Sequence, residues 1–152
     1  MSVYVNNQFR IKRNAAQQEA MQRLVAAKIF DGYKDILMIS AVIAYNIGAF
    51  NPIEKPASDG VLMQFFSSKD YDIIDMIAYA HKKEQSVITS DEKYEIFSSY
   101  ANAGFPILLE KLELNGVEEI SIDEARKAQI RYYRLLLSDG FSVSIGSEEL
   151  LK

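Results

Sequence analysis

His81 is the single histidine of this 152-residue chain and cysteine is absent, so a multi-histidine metal site and any thiolate chemistry are excluded within one chain. The histidine follows Ala80 near the end of a predicted helix, where a surface or dipole role is expected rather than that of a general base. Metal binding would then fall to carboxylates. Asp70, Asp72 and Asp75 lack the loop glycine and closing Glu of a calcium hand and read as favourable charges in a helix's first turns. Glu118-Glu119 with Asp123-Glu124 precede and open another helix, where acids are expected on dipole grounds. Ser90, Ser98 and Ser99 have no basic partner at a diagnosable spacing, and no G-x-S-x-G elbow exists. Glycines stand scattered at 32, 48, 60, 104, 116, 140 and 146, so neither a Walker loop nor a dinucleotide fingerprint can be drawn. No catalytic residue, metal or cofactor is therefore assigned, and no stoichiometric metal or nucleotide is expected.

Two basic groups compete with this bland reading. Arg10, Lys12 and Arg13, with Tyr4 and Phe9 nearby, could grip phosphates; the alternative is an exposed lead-in. Lys127, Arg131 and Arg134 recur at i, i+4 and i+7 beside Tyr132 and Tyr133. Asp123 stands four residues before Lys127, which favours a salt-bridged, solvated face. These six are the candidate nucleic-acid or partner contacts. Seven Lys/Arg against five Asp/Glu in residues 1–60, and ten against sixteen in the remainder, give an asymmetry that could orient a partner. The net charge of −4 and pI near 5.1 oppose wholesale binding to nucleic acid.

The elements that position these residues follow from spacing. The sequence predicts a mainly α fold, a compact single-domain bundle of about five helices with room for a minor short-strand element. Residues 1–13 form an extended or flexible lead-in, and residues 141–152 a tail whose Phe141 to Ile145 alternate like a strand. Asn14 caps a helix from Ala15 to Ile29, broken by Phe30-Asp-Gly32, with Asp31 as the next cap. Tyr33 to about Ile47 is apolar on nearly every side and should be the central helix. Pro56 to Gly60 is a loop, and Val61 to Phe66 is too short to assign between strand and helical turn. Asp70 starts a helix through Lys82, with Ile73, Ile74, Ile77 and Ala80 inward. Thr89 and Glu92 have capping-box spacing, Asn102 and Gly104 supply a helix stop, and Pro106 begins a further helix. Ser121 and Glu124 cap a last helix running to Leu137, closed by Asp139-Gly140. Phe65-Phe66, Tyr94, Phe97 and Tyr100 read as core.

Three pieces in this order carry a family resemblance: Ile29-Phe-Asp-Gly-Tyr-Lys-Asp-Ile-Leu-Met38, Tyr71-Asp-Ile-Ile-Asp-Met-Ile-Ala78, and Glu95-Ile-Phe-Ser-Ser-Tyr-Ala-Asn-Ala-Gly104. They resemble the DNA phosphorothioation (Dnd) system-associated protein 4 family over roughly residues 28–112. Ala103 stands where a second glycine is expected in the Tyr-Ala-Asn-x-Gly turn. The resemblance implies an accessory role in modification-dependent restriction and antiviral defence, not the sulfur chemistry itself, and the missing cysteine agrees.

The expected function is a non-catalytic adapter that binds protein subunits of a DNA modification or restriction complex and meets DNA indirectly or weakly. A homo-oligomer is compatible with this. A small DNA-binding regulator and an enzyme with an unrecognised carboxylate site are the alternatives. No secretory signal is seen at the N-terminus, and the longest apolar run, Ile36 to Phe50, is shorter than the roughly 20 residues that cross a bilayer. The expected compartment is the cytoplasm, without membrane contact.

Overall fold

The computed structural model describes residues 3–140; the alternating Phe141 to Ile145 segment and the rest of the tail lie outside them. The fold is mainly α, as expected, with five α-helices and one two-stranded ribbon among the described residues. Asn14 Oδ1 accepts the Ala16 N–H at 2.9 Å and opens a 3-10 turn, Ala15–Gln17, that runs into α1 (Gln18–Ala26). This helix stops short of Ile29. Lys28 takes the left-handed conformation (φ 61), and the Ile29 N–H reaches back to the Leu24 carbonyl at 3.1 Å. That closure satisfies a terminal carbonyl and turns Ile29 and Phe30 into the core.

Helix α2 (Tyr33–Ile47) begins at Gly32, without the side-chain cap expected from Asp31, and ends at a left-handed Gly48. Every residue from Ile36 through Ala44 is buried, which confirms its central place. Its last turn does not follow: Tyr45 and Ile47 are exposed, because the helix outruns the neighbours that cover its middle.

The lead-in is neither free nor wholly exposed. Strand β1 (Arg10–Ile11) pairs antiparallel with β2 (Val61–Leu62), Arg10 opposite Leu62 and Ile11 opposite Val61. A 3-10 turn, Met63–Phe65, follows at once, so the short Val61 to Phe66 stretch holds a strand and a turn. Helix α3 (Ser68–Lys82) starts earlier than Asp70. Ser67 is its cap, and Asp70 completes a capping box with it. Its buried side is Ile73, Ile74, Asp75, Ile77 and Ala78, the last in place of Ala80.

The largest departure from expectation is α4 (Glu92–Lys111), one uninterrupted helix through Asn102, Gly104 and Pro106. Thr89 forms no capping box, since it lies in a 3-10 turn (Gln85–Thr89) and its hydroxyl donates to Ser86 O. Ser90 Oγ accepts the Glu92 N–H instead. Pro106 removes the N–H that would bond the Asn102 carbonyl, and Gln17 Nε2 donates to that oxygen at 3.2 Å in its place. Gly104 is helical for a packing reason: a Cβ there would meet the Ser40 carbonyl oxygen and the Ala44 Cβ of α2. The helix-to-helix corner read from these residues is thus a helix-to-helix crossing.

Ser121 and Glu124 form the expected capping box of α5 (Ile122–Leu135), which continues as one π turn, Leu136–Gly140. Phe66, Tyr94, Phe97 and Tyr100 join the core, whereas Phe65 is 63% exposed.

Candidate functional site

Strand pairing splits the first basic group by period 2. Ile11 and Arg13 turn inward, and Arg10 and Lys12 outward. Lys12 lies 3.2 Å from Glu95 Oε1, both about half-exposed. Arg10 donates only a long bond, 3.4 Å, to Gly60 O. Arg13 is 2% exposed, which corrects the exposed reading for this residue. Its Nη2 donates to both the backbone and the side-chain oxygen of Asp59 at 3.2 Å, and its guanidinium carbon stands 4.3 Å from the centre of the Tyr33 ring. Nε and Nη1 of Arg13 are buried without an acceptor.

Arg13 borders a cavity of about 410 Å³ between the β-ribbon and the start of α2. Val61, Leu62 and Phe65 supply an apolar side, and Arg10 and Lys34 add to the cationic one. Asp31, Asp35 and Asp59 face the same space. Lys34 bonds Asp70 at 2.6 Å and stands 3.5 Å from Asp35. Burial pushes the Asp35 carboxyl above the ordinary aspartate value, against the pull of Lys34. This cavity was not legible in the sequence, because its walls come from segments near residues 10, 33 and 60 that meet only in the tertiary fold.

The second basic group stays on α5. Lys127 pairs with Asp123 at 3.1 Å, as the spacing predicts. Arg131 Nε pairs with Glu113 at 2.5 Å and its Nη1 reaches Leu112 O at 3.5 Å. Arg134 is exposed on the last turn. The two basic groups therefore sit on separate elements. Beside the α5 cations runs an apolar stripe missed at the level of sequence: Ile122, Ile130, Tyr133 and Leu137 are 76%, 52%, 52% and 71% exposed. Their spacing of eight, three and four places them along one side. Such a row on a basic helix is the legible sign of a docking face.

His81 Nδ1 lies 2.8 Å from the Tyr100 hydroxyl, and the ring stacks on Phe50 with centroids 4.5 Å apart. The bond and the stacking fasten the α3 end to its neighbours. Asp75 is buried and bonds Lys93, itself 1% exposed. Lys93 also donates to the carbonyls of Tyr4 and Ile88. This pair is structural, and it had no signature in sequence because its partners lie 18 residues apart. Among the described residues, no group of three or more His, Cys, Asp or Glu could hold a metal ion. No described helix is long and apolar enough to cross a membrane.

Comparison with curated proteins and with solved structures gives no match. The model of the family described as DNA sulphur modification system-associated protein 4 matches residues 10–125. That span holds the ribbon, the cavity and α1 to α4, and ends in the first turn of α5, and the chain belongs to this family.

Proposed function

We propose that the protein is a non-catalytic adapter of a DNA sulphur modification system, acting in the cytoplasm in defence against foreign DNA. It docks a protein subunit and reaches DNA only through that subunit. The observation that supports this over direct DNA binding is the internal neutralisation of its basic side chains. Three of the six candidate cations lie beside carboxylates of the same chain, Lys12 with Glu95, Lys127 with Asp123 and Arg131 with Glu113, and a fourth, Arg13, is buried. Phosphates would have to displace these partners, and the net charge of −4 adds long-range repulsion. The exposed stripe Ile122, Ile130, Tyr133 and Leu137 offers apolar area to a protein, and Arg126 and Arg134 beside it favour acidic groups around the partner's apolar contact.

The test measures duplex-DNA affinity of the isolated chain against salt, together with binding of purified subunits of the modification system. Arg13 is unsuitable for charge reversal because it is buried, so Arg10→Glu with Lys12→Glu, and Lys127→Glu with Arg134→Glu, serve instead. Weak DNA binding near physiological salt, and loss of subunit binding in an Ile130→Asp, Tyr133→Asp variant that still folds, are expected. Tight DNA binding by the isolated chain, with a log–log salt slope of roughly one unit per phosphate and loss on either double reversal, would establish the DNA-binding regulator instead.

A further inference from the structure

We propose that the cavity between Arg13, the first turn of α2 and β2 is a binding site for a small molecule carrying an oxyanion on an apolar or planar body. The inference goes beyond the adapter reading and stands without it. A buried guanidinium ordinarily has acceptors on most of its five N–H groups. Arg13, 2% exposed, has none on Nε or Nη1. The carboxylate it does meet belongs to Asp59, a loop residue whose side chain is 68% exposed. Both bonds to Asp59 measure 3.2 Å, longer than the roughly 2.7–2.9 Å of a well-made charge-assisted bond. Asp59 is a loose partner, and it stands where a ligand's oxyanion would stand.

The neighbouring elements supply the remaining parts. Helix α2 starts at Gly32 with no side chain capping its first N–H groups, and the helix dipole favours negative charge there. An oxyanion taking the place of the Asp59 carboxylate would stand between that turn and Nη2 of Arg13, the guanidinium nitrogen that Asp59 now meets. The ligand's body would lie along Val61, Leu62 and Phe65, the last 63% exposed at the rim. About 410 Å³ falls in the size range of small-molecule sites, roughly 300–1,000 Å³.

The charges on the walls limit the ligand. Arg10, Arg13 and Lys34 are matched by Asp31, Asp35 and Asp59. A polyanion such as duplex DNA would gain little from so balanced a surface. A compact phosphate, sulfate or carboxylate that displaces the exposed Asp59 side chain into water fits it.

The experiment titrates the full chain with phenyl phosphate, inorganic phosphate and phenol, followed by calorimetry and by amide chemical shifts. Phenyl phosphate is expected to saturate, inorganic phosphate to bind more weakly and phenol not to bind, with shifts confined to residues 10–13, 31–35 and 59–65. Asp59→Asn removes the competing carboxylate and should tighten both phosphates about tenfold. Phe65→Ala should weaken phenyl phosphate about fivefold and leave inorganic phosphate unchanged. Both substitutions are at exposed side chains, so the outcome does not depend on a variant tolerating a change at buried Arg13. No saturable binding of phenyl phosphate to either the wild type or Asp59→Asn at about 10 mM, a concentration that detects millimolar affinity, would overturn the proposal. So would an unchanged affinity in Asp59→Asn, or shifts that map elsewhere. Tighter binding of a short DNA duplex at this same cavity would reassign it to nucleic acid and equally overturn it.

Discussion

The backbone carbonyl of Ser40 lies so close to Gly104 that a Cβ placed on Gly104 would fall 1.8 Å from its oxygen. The crossing of α2 and α4 is set by this contact, and the absence of a side chain at 104 is what permits it. Helix propensity alone favours alanine over glycine by about 1 kcal/mol. The overlap is with backbone rather than with the end of a flexible chain, so the helices must separate, and overpacking of this kind costs about 3 kcal/mol. Gly104→Ala is expected to destabilise by about 2 kcal/mol net. A urea midpoint at or above that of the wild type would contradict the close crossing.

Lys93 and Asp75 form a buried pair at 2.8 Å that also holds the lead-in through the Tyr4 carbonyl. Removing one charge leaves the other uncompensated, so Lys93→Met should cost about 3–5 kcal/mol. The double change Lys93→Met, Asp75→Leu should recover more than half of that loss. Chemical denaturation of the two variants checks this, and equal losses in both would show that the ammonium acts through its carbonyl contacts alone.

Asn102, buried on α4, ties two other segments to that helix: it accepts from Asn14 Nδ2 at 2.9 Å and Gln17 Nε2 at 3.1 Å, and donates to Asn51 O at 2.8 Å. Asn102→Leu strands Asn14 Nδ2 and the Asn51 carbonyl, while Gln17 keeps its bond to the backbone oxygen of residue 102, and is expected to cost about 2–4 kcal/mol, most of it the penalty of unmade bonds. Hydrogen exchange should quicken first at residues 14–17 and 51. Unchanged protection there would show that other contacts hold these segments.

Tyr132 packs on Phe30 at a centroid distance of 4.3 Å. Burial pushes its phenol up to about 12, and the Asp35 and Asp31 carboxylates add to the effect. The folded state favours the protonated, neutral ring, while the unfolded chain ionises near pH 10. Its contribution to stability is thus complete below about pH 10 and is lost as pH rises toward 12. Melting temperatures measured across this range should fall more steeply in the wild type than in Tyr132→Phe. Parallel curves would remove Tyr132 from the alkaline transition.

Sequence alone determined the features that depend on neighbours within a turn or two. The 3.6-residue periodicity of α2, the Ser121 and Glu124 capping box and the Lys127–Asp123 pair were all legible, because each is a local relation repeated along one helix. The family was legible from three such helical pieces. Only the tertiary structure decided what Asn102, Gly104 and Pro106 do. Locally they resemble a stop, but Gln17 replaces the hydrogen bond that proline removes, and the Ser40 backbone fills the space that glycine leaves. Tertiary context also buried Arg13 and opened the cavity beside it. Strand alternation could have hinted at the inward side chain, yet the partner strand lies some 50 residues away, with Arg10 opposite Leu62, and no local pattern fixes a pairing across such a separation. Short-range propensities choose the elements, whereas desolvation and close packing between distant segments choose which of their side chains remain available for function.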